Sequence, residues 1–143
     1  MKQIKIYIAS SWKNQHAVEM LTENLEVCGH EVISFVRESA LKEDRNEWAF
    51  RNLDEWINSY AGEEKFKYDL NGATKSDLVI YIGPSGCDAW AEVGAAWASN
   101  VPIFGLLSKG EQSGLMRRMI SHWFNNYIEL LKAINLFDDK ENL

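Results

Sequence analysis

Hydrophobic and polar positions alternate along the chain in short runs whose period switches between that of a strand and that of a helix. Three isoleucines alternate with other residues over positions 3–9, which predicts the first strand. An apolar set at helical spacing follows and ends before Gly29; its members are Ala17, Met20, Leu21, Leu25 and Cys28. Residues 31–36 are predicted to form a second short strand. This strand–helix–strand order predicts a right-handed parallel crossover.

The middle of the chain is predicted to hold a helix and then an irregular segment. Residues 44–60 place apolar side chains on one helical face, namely Trp48, Leu53, Trp56, Ile57 and Tyr60. Residues 61–76 are polar and contain an Asn71-Gly72 pair, so we expect turns there. The apolar run at 77–82 is typical of a central strand.

The rest of the chain continues the alternation of strands and helices. Residues 83–86 are predicted to form a loop, 89–99 a helix rich in small residues, and 101–107 a strand. A long final helix is expected over 115–136, with no fifth strand evident before it. The pattern predicts one α/β domain spanning residues 1–143, with an open, mainly parallel sheet of four or five strands covered by helices on both faces.

Composition narrows the classes of partner. The chain has 143 residues and a net charge of −6, so it lacks the basic surface that duplex nucleic acid requires. No apolar run reaches the ~18 residues of a membrane span. Two cysteines, Cys28 and Cys87, do not make a disulfide framework, which favours a reduced, cytoplasmic protein. The three histidines show no metal-ligand spacing, so we expect neither a metal nor a cofactor.

Ligands of such sheets bind at the carboxyl ends of the strands, which directs attention to residues 83–92. Gly83 and Gly86 let a ligand approach the backbone there. Asp88 is expected to cap the following helix, with Glu92 one turn later, and two neighbouring acids should raise the pKa of one of them. Such a pair can divide nucleophile and proton-donor roles in glycosyl chemistry, although a helix start favours acids without any function.

The segment after the first strand offers further polar groups. Ser10 and Ser11 are expected to cap the first helix or to bind a sugar hydroxyl or a phosphate, together with Ser85. No Lys or Arg is adjacent in sequence to balance a phosphate. Trp12 could stack on a planar ring or simply lie on the surface. Tyr7 is either a core tyrosine or a donor to a carboxylate in the crevice.

Three further residues, considered singly, do not require a functional explanation. Asp69 and its neighbour Asn71 are typical turn formers. Cys87 stands near a predicted helix start, but no His accompanies it in sequence, so a nucleophilic cysteine is disfavoured.

Three segments together resemble the nucleoside 2-deoxyribosyltransferase family, which includes nucleoside monophosphate N-glycosidases. They are residues 5–12 (KIYIASSW), 68–79 (YDLNGATKSDLV) and 89–96 (AWAEVGAA), and the resemblance spans about residues 3–107. It implies a flavodoxin-like fold and cleavage or transfer at the N-glycosidic bond of a nucleoside or nucleoside monophosphate. It also implies a homo-oligomer.

The resemblance assigns roles to individual side chains. It implies that Glu92 attacks the anomeric carbon and that Tyr7 donates a hydrogen bond to its carboxylate. Trp12 would pack on the base, and Asp69 would contact or protonate it. The chain departs from the family at Asp88, where a Gly is usual, and at Gly86, where an Asp or Ser is common.

Two other classes of function fit the same predicted fold. One is a module that binds nucleotides without turning them over, since a fold alone does not prove catalysis. The other is an NAD glycohydrolase of the TIR type, which also uses a single glutamate near an aromatic residue. Release of nicotinamide from NAD separates this second alternative from nucleoside cleavage.

Overall fold

A computed structural model describes residues 2–38 and 52–137. Its centre is a parallel sheet of five strands in the order β2-β1-β3-β4-β5. The strands are β1 Lys5–Ala9, β2 Glu31–Ile33, β3 Leu78–Ile82, β4 Ile103–Leu106 and β5 His122–Phe124. This is the doubly wound order found in flavodoxin-like folds, so the predicted fold class is confirmed.

Helices cover both faces of the sheet. In chain order they are α1 Gln15–Val27, α2 Leu53–Ile57, α3 Tyr60–Lys75, α4 Cys87–Ala98 and α5 Tyr127–Asn135. Short 3-10 turns lie at Trp12–Asn14, Phe35–Arg37 and Leu115–Met119. No helix within the described ranges is both long and apolar enough to cross a membrane.

The pleat of β1 decides which side chains reach which layer of helices. Ile6 and Ile8 join the core beneath α1 and α5, whereas Tyr7 and Ala9 join the core on the opposite face, beneath α4. All five residues of β3 are buried, as its continuous apolar run predicts. Alternation in β1 therefore sends Tyr7, alone among its large apolar side chains, to the α3 and α4 side.

The prediction of turns over residues 61–76 is wrong, because the residues up to Lys75 belong to α3. Ser59 caps this helix by accepting a hydrogen bond from the Gly62 N–H at 2.9 Å. Ion pairs at i,i+4 spacing, Lys65 with Asp69 and Lys67 with Glu63, support its polar turns. The segment is a half-exposed amphipathic helix, so its polar composition resembled that of a loop.

The prediction of one long helix over residues 115–136 is also wrong. A 3-10 turn and β5 precede the much shorter α5, whose cap is Asn126, which accepts from the Glu129 N–H at 2.9 Å. Ser121 joins β4 through its N–H, which donates to the Ile103 carbonyl at 2.9 Å. The apolar residues before α5 therefore serve a sheet edge and supply the fifth strand.

Three smaller boundaries differ from the predictions. Only residues 31–33 of the predicted second strand pair with β1, and a 3-10 turn follows. The predicted helix at 44–60 is interrupted between α2 and α3, and its first part, with Trp48, lies outside the described residues. Neither serine after β1 caps α1 with its side chain, since Asn14 occupies the cap position.

Gly72, in the last turns of α3, lets that helix approach β1. A Cβ at this position would overlap the ring of Tyr7. Gly72→Ala is therefore expected to lower the free energy of unfolding by about 1–3 kcal/mol through overpacking, although alanine is the better helix former. Urea denaturation measures this change.

Gly94→Ala in α4 is the matched control, because its new Cβ would find no atom nearer than the Met119 methyl at 4.0 Å. That variant should gain up to about 1 kcal/mol from helix propensity. Equal stability of the two variants would contradict the close packing of α3 on Tyr7.

Candidate active site

A hydrogen bond joins the centre of the sheet to α4. The hydroxyl of Tyr7 donates to Oε1 of Glu92 at 2.7 Å. Tyr7 is only 2% exposed, so the pair lies at the base of a crevice and not on the surface. The contact that the resemblance implied between these two residues is therefore present.

α3 adds a second carboxylate and a cation to this pair. Asp69 acts electrostatically on both Tyr7 and Glu92. Its Oδ2 atom also accepts a hydrogen bond from the Lys65 ammonium, with 2.6 Å between the two atoms. Because residues four apart share a helix face, one turn of α3 delivers both groups to the crevice.

Burial dominates the protonation of this cluster. It raises the pKa of Glu92 to about 8, with Asp69 and Asp88 adding to the rise while the Tyr7 hydrogen bond and Lys65 oppose it. The pKa of Tyr7 is raised as well, by burial first and then by the charges of Asp69 and Glu92. The expected raised acid is present, but desolvation and Asp69 contribute more than Asp88. Near neutral pH the free protein therefore holds a proton on Glu92.

Two cavities open at this cluster. The larger, about 680 Å³, lies between α2, α3 and α4, and its walls include Trp56, Ile57, Phe66, Leu70, Ala91 and Ala95. The smaller, about 300 Å³, lies at the carboxyl end of β1 and the start of α4. Lys65, Asp88 and Glu92 line both cavities, so they mark the junction. These volumes are in the range of small-molecule sites.

Polar groups are concentrated in the smaller cavity. Ser11 and Ser85 both line it, and their buried hydroxyl oxygens have no hydrogen-bond partner among the described residues. Ser10 differs, because its hydroxyl donates to the Ile82 carbonyl at 2.7 Å. A buried hydroxyl without a partner is costly, so Ser11 and Ser85 are suited to bind a polar ligand.

Trp12 borders the same cavity. Its ring packs on Phe35 with a centroid distance of 4.1 Å. Asp69 lines only the larger cavity, so these two residues, which the resemblance placed at one base, stand on different sides of the Glu92 junction.

Two predictions about the loop before α4 need correction. Gly86, and not Asp88, takes the cap position of α4, and Asp88 lies in the first turn. Gly83 lines neither cavity: it is buried, and a Cβ there would overlap Glu111 and contact the Tyr81 hydroxyl. Gly83 is therefore small for packing reasons, whereas Gly86 does border the smaller cavity.

Lys65 is the residue that the sequence reasoning missed. No cation was expected beside the loop at 83–86, yet α3 brings Lys65 into the cavity that this loop borders. The signal was the i,i+4 spacing of Lys65 and Asp69, which only a helical interpretation of the segment reveals. Within residues 2–38 and 52–137, no three His, Cys, Asp or Glu side chains are placed to hold a metal ion.

Solved structures with the same fold include enzymes that act on nucleosides and nucleotides. A 2-deoxyribosyltransferase from Bacillus psychrosaccharolyticus superposes with a TM-score of 0.67 at 20% identity, over 96% of this chain and 95% of that one. The CMP N-glycosidase BcmB from Clostridium botulinum gives 0.55 at 22% identity, over 93% and 99% of the two chains. A conserved protein from Enterococcus faecalis gives 0.58 at 15% identity, over 99% and 100%.

The comparisons establish a shared fold over nearly the whole length of each chain. No protein-family profile matches this sequence, and neither does any curated protein. At 15–22% identity, the likeness identifies the architecture and leaves the chemistry to be argued from the residues.

The raised pKa of Glu92 predicts how stability depends on pH. The unfolded chain ionises this group near its ordinary value of 4.5, while the folded chain holds the proton until about pH 8, so Glu92 costs stability as pH rises between the two. Glu92→Gln keeps an acceptor for Tyr7 but cannot ionise. The free energy of unfolding of Glu92→Gln, relative to that of the wild type, should rise by about 2 kcal/mol or more from pH 5 to pH 9, since one unit of pKa is worth about 1.4 kcal/mol.

Urea denaturation at the two pH values measures this difference. Glu129→Gln, at an exposed position of α5, is the control, and its free energy of unfolding relative to the wild type should be the same at both pH values. A flat difference in Glu92→Gln itself would show that Glu92 is not a buried acid.

Proposed function

We propose that this chain cleaves the N-glycosidic bond of a nucleoside or nucleoside monophosphate, by hydrolysis or by transfer of the sugar to another base, with Glu92 as the nucleophile. One observation carries the proposal. A partly buried carboxyl, held by Tyr7, lies where two ligand-sized cavities meet at the carboxyl ends of the strands. The solved enzymes of the same fold agree with this class of reaction.

The proposed reaction forms and then breaks a covalent bond to the sugar. The C1′–N bond opens through an oxocarbenium-like state, the Glu92 carboxylate bonds to C1′, and the base leaves with the bonding electrons. In the reacting form the proton of the site lies on Asp69 or Asp88 instead of Glu92, and that acid gives it to the leaving base. Water or a second base then attacks C1′, which frees Glu92 and yields either the sugar or a new nucleoside. The water or second base that attacks returns a proton to the site.

The protonation of Glu92 is compatible with this role. Burial makes its carboxylate costly in the free protein, but positive charge developing at C1′ favours the carboxylate, because an opposite charge within a few ångströms lowers an acid's pKa. The Tyr7 hydroxyl keeps the carboxylate oriented throughout. The charge that costs stability in the free site is thus matched to the transition state.

The smaller cavity supplies groups for the rest of the substrate. Its features, a Trp12 ring, partnerless hydroxyls on Ser11 and Ser85, and the start of α4, suit a base at one side and sugar hydroxyls or a 5′-phosphate at the other. Lys65 adds the positive charge that the loop at 83–86 does not itself contain. No step requires a cofactor.

Product analysis tests the proposal. Wild-type protein is incubated with nucleosides, nucleoside monophosphates and NAD, with and without an acceptor base, and the products are separated by chromatography. Base release is expected from at least one nucleoside or monophosphate, with a loss of about a thousandfold or more in Glu92→Gln, since removal of a nucleophile costs several kcal/mol.

Glu129→Gln, remote from the crevice, serves as the control for this loss and should keep wild-type activity. Nicotinamide release from NAD alone would support the glycohydrolase alternative. Binding without any product, or full activity in Glu92→Gln, would contradict the proposed mechanism.

The partnerless serines allow a test that separates binding from folding. Ser11→Ala and Ser85→Ala remove hydroxyls that satisfy nothing in the protein, so each should leave the free energy of unfolding within about 1 kcal/mol. Each should raise KM for the preferred substrate about tenfold, because a lost hydrogen bond to a charged or polar ligand costs about 1.5 kcal/mol.

Ser76→Ala is the matched control, since the Ser76 hydroxyl is also buried without a partner among the described residues but lines neither cavity. Its KM should equal that of the wild type. Unchanged KM values in both Ser11→Ala and Ser85→Ala would remove the smaller cavity from the substrate site.

A further inference from the structure

The ion pair between Lys65 and Asp69 differs from an ordinary surface pair of the same helix. Its atoms lie 2.6 Å apart, and the two side chains are 22% and 13% exposed. Lys67 and Glu63 have the same i,i+4 spacing on α3, but both are 58% exposed and their atoms lie 3.0 Å apart. The chain therefore contains an internal comparison: both pairs have the same helix and spacing, but the order of acid and base is reversed and the Lys65 pair is much less exposed.

The surroundings of Lys65 are unusually acidic. The described residues that line the two cavities include four carboxylates, Glu63, Asp69, Asp88 and Glu92, and one cationic side chain, Lys65. Lys65 borders both cavities, together with Asp88 and Glu92. Asp69 and Glu92 are partly buried, and like charges repel more strongly there because solvent screening is weaker. A cation at the junction offsets that repulsion.

We propose that Lys65 is a positioning residue of this site: its ammonium fixes Asp69 and balances the carboxylates of Asp69, Asp88 and Glu92. The proposal rests on the proposed function for the consequence in catalysis, but its effect on charge can be measured without any substrate. Lys65 acts through these acids and forms no bond to the sugar.

Pairing with Asp69 also reduces the repulsion between the Lys65 ammonium and positive charge on the sugar. An isolated ammonium beside C1′ would repel the oxocarbenium-like state, whereas a cation paired with Asp69 at 2.6 Å is largely neutralised at a distance. Lys65 can then favour ionised Glu92 without a net positive charge near the sugar. This agrees with the direction of its influence, since Lys65 lowers the pKa of Glu92 and burial raises it.

Other groups that face Glu92 are the same in the wild type and in the Lys65 and Lys67 variants, so they cancel when these proteins are compared. They are Tyr7 from β1, Asp69 and Glu63 from α3, and Asp88 and Cys87 from α4. The residues that α2 and the segment after β1 contribute to the cavity walls carry no titratable side chain. A shift on changing Lys65 therefore reports Lys65 itself.

Titration of Glu92 by carbon NMR tests the proposal. Protein labelled with ¹³C at the glutamate carboxyl is titrated, and Glu92 is assigned by the signal that disappears in Glu92→Gln. Lys65→Met should raise the midpoint of Glu92 by about one pH unit, as expected for loss of a nearby opposite charge. Lys65→Arg should restore it, and Lys67→Met should leave it at the wild-type value.

Asp69→Asn provides a test with the opposite sign if Lys65→Met fails to fold. It removes a neighbouring negative charge and leaves Lys65 without its counter-ion, so the Glu92 midpoint should fall. A Glu92 midpoint that stays within about 0.2 units of the wild type in Lys65→Met, or that rises in Asp69→Asn, would overturn the proposal.

Activity measurements separate this proposal from the proposed function. With the preferred nucleoside or nucleotide, the limb of the kcat/KM profile that titrates with Glu92 should move to higher pH in Lys65→Met, by the amount that NMR reports. A Glu92 midpoint that shifts in Lys65→Met, together with a wild type that releases no base from any substrate, would overturn the proposed function and support the charge role of Lys65. An active wild type with an unshifted limb in Lys65→Met would overturn the role of Lys65 alone.

Discussion

The hydrogen bond from Tyr7 to Glu92 is the contact on which the geometry of the crevice depends, because it ties the middle of the sheet to the helix that carries the candidate nucleophile. Alternation along β1 sends the Tyr7 ring to the side of α3 and α4. Gly72 then allows α3 to lie against that ring. The sheet, α3 and α4 therefore all contact the Tyr7 side chain. This packing places Asp69 and Lys65 of α3 beside Glu92 of α4.

This arrangement places Glu92, whose ionisation destabilises the folded state, where its carboxylate can stabilise positive charge on a ligand. Burial and a neighbouring acid make Glu92 hold its proton, so the folded state loses stability as the group ionises. The Tyr7 hydroxyl and the Lys65 ammonium recover part of that loss. A core built only for stability would hold an apolar side chain here, whereas a carboxylate without full compensation suits a site that stabilises developing positive charge.

The sequence was most informative where hydrophobic period and function coincide. The apolar runs predicted β1, β3 and β4, and the family resemblance over three segments implied site roles for Tyr7, Asp69 and Glu92. It was least informative over 60–75, because a half-exposed helix containing Asn71-Gly72 has the composition of a loop. That error also concealed Lys65, whose approach to Asp69 requires helical spacing. β5 is three residues long, too short for a period to appear.

The central claim is that Glu92 bonds covalently to the sugar, and a mechanism-based trap tests it most directly. A nucleoside with a 2-fluoro-2-deoxy-arabinosyl sugar slows breakdown of the glycosyl-enzyme more than its formation, because fluorine destabilises the oxocarbenium-like state. Intact-mass spectrometry is predicted to show one added fluorinated sugar, located by peptide mapping on Glu92 and missing in Glu92→Gln. Release of base with no adduct on the protein, or an adduct on another residue, would contradict the account.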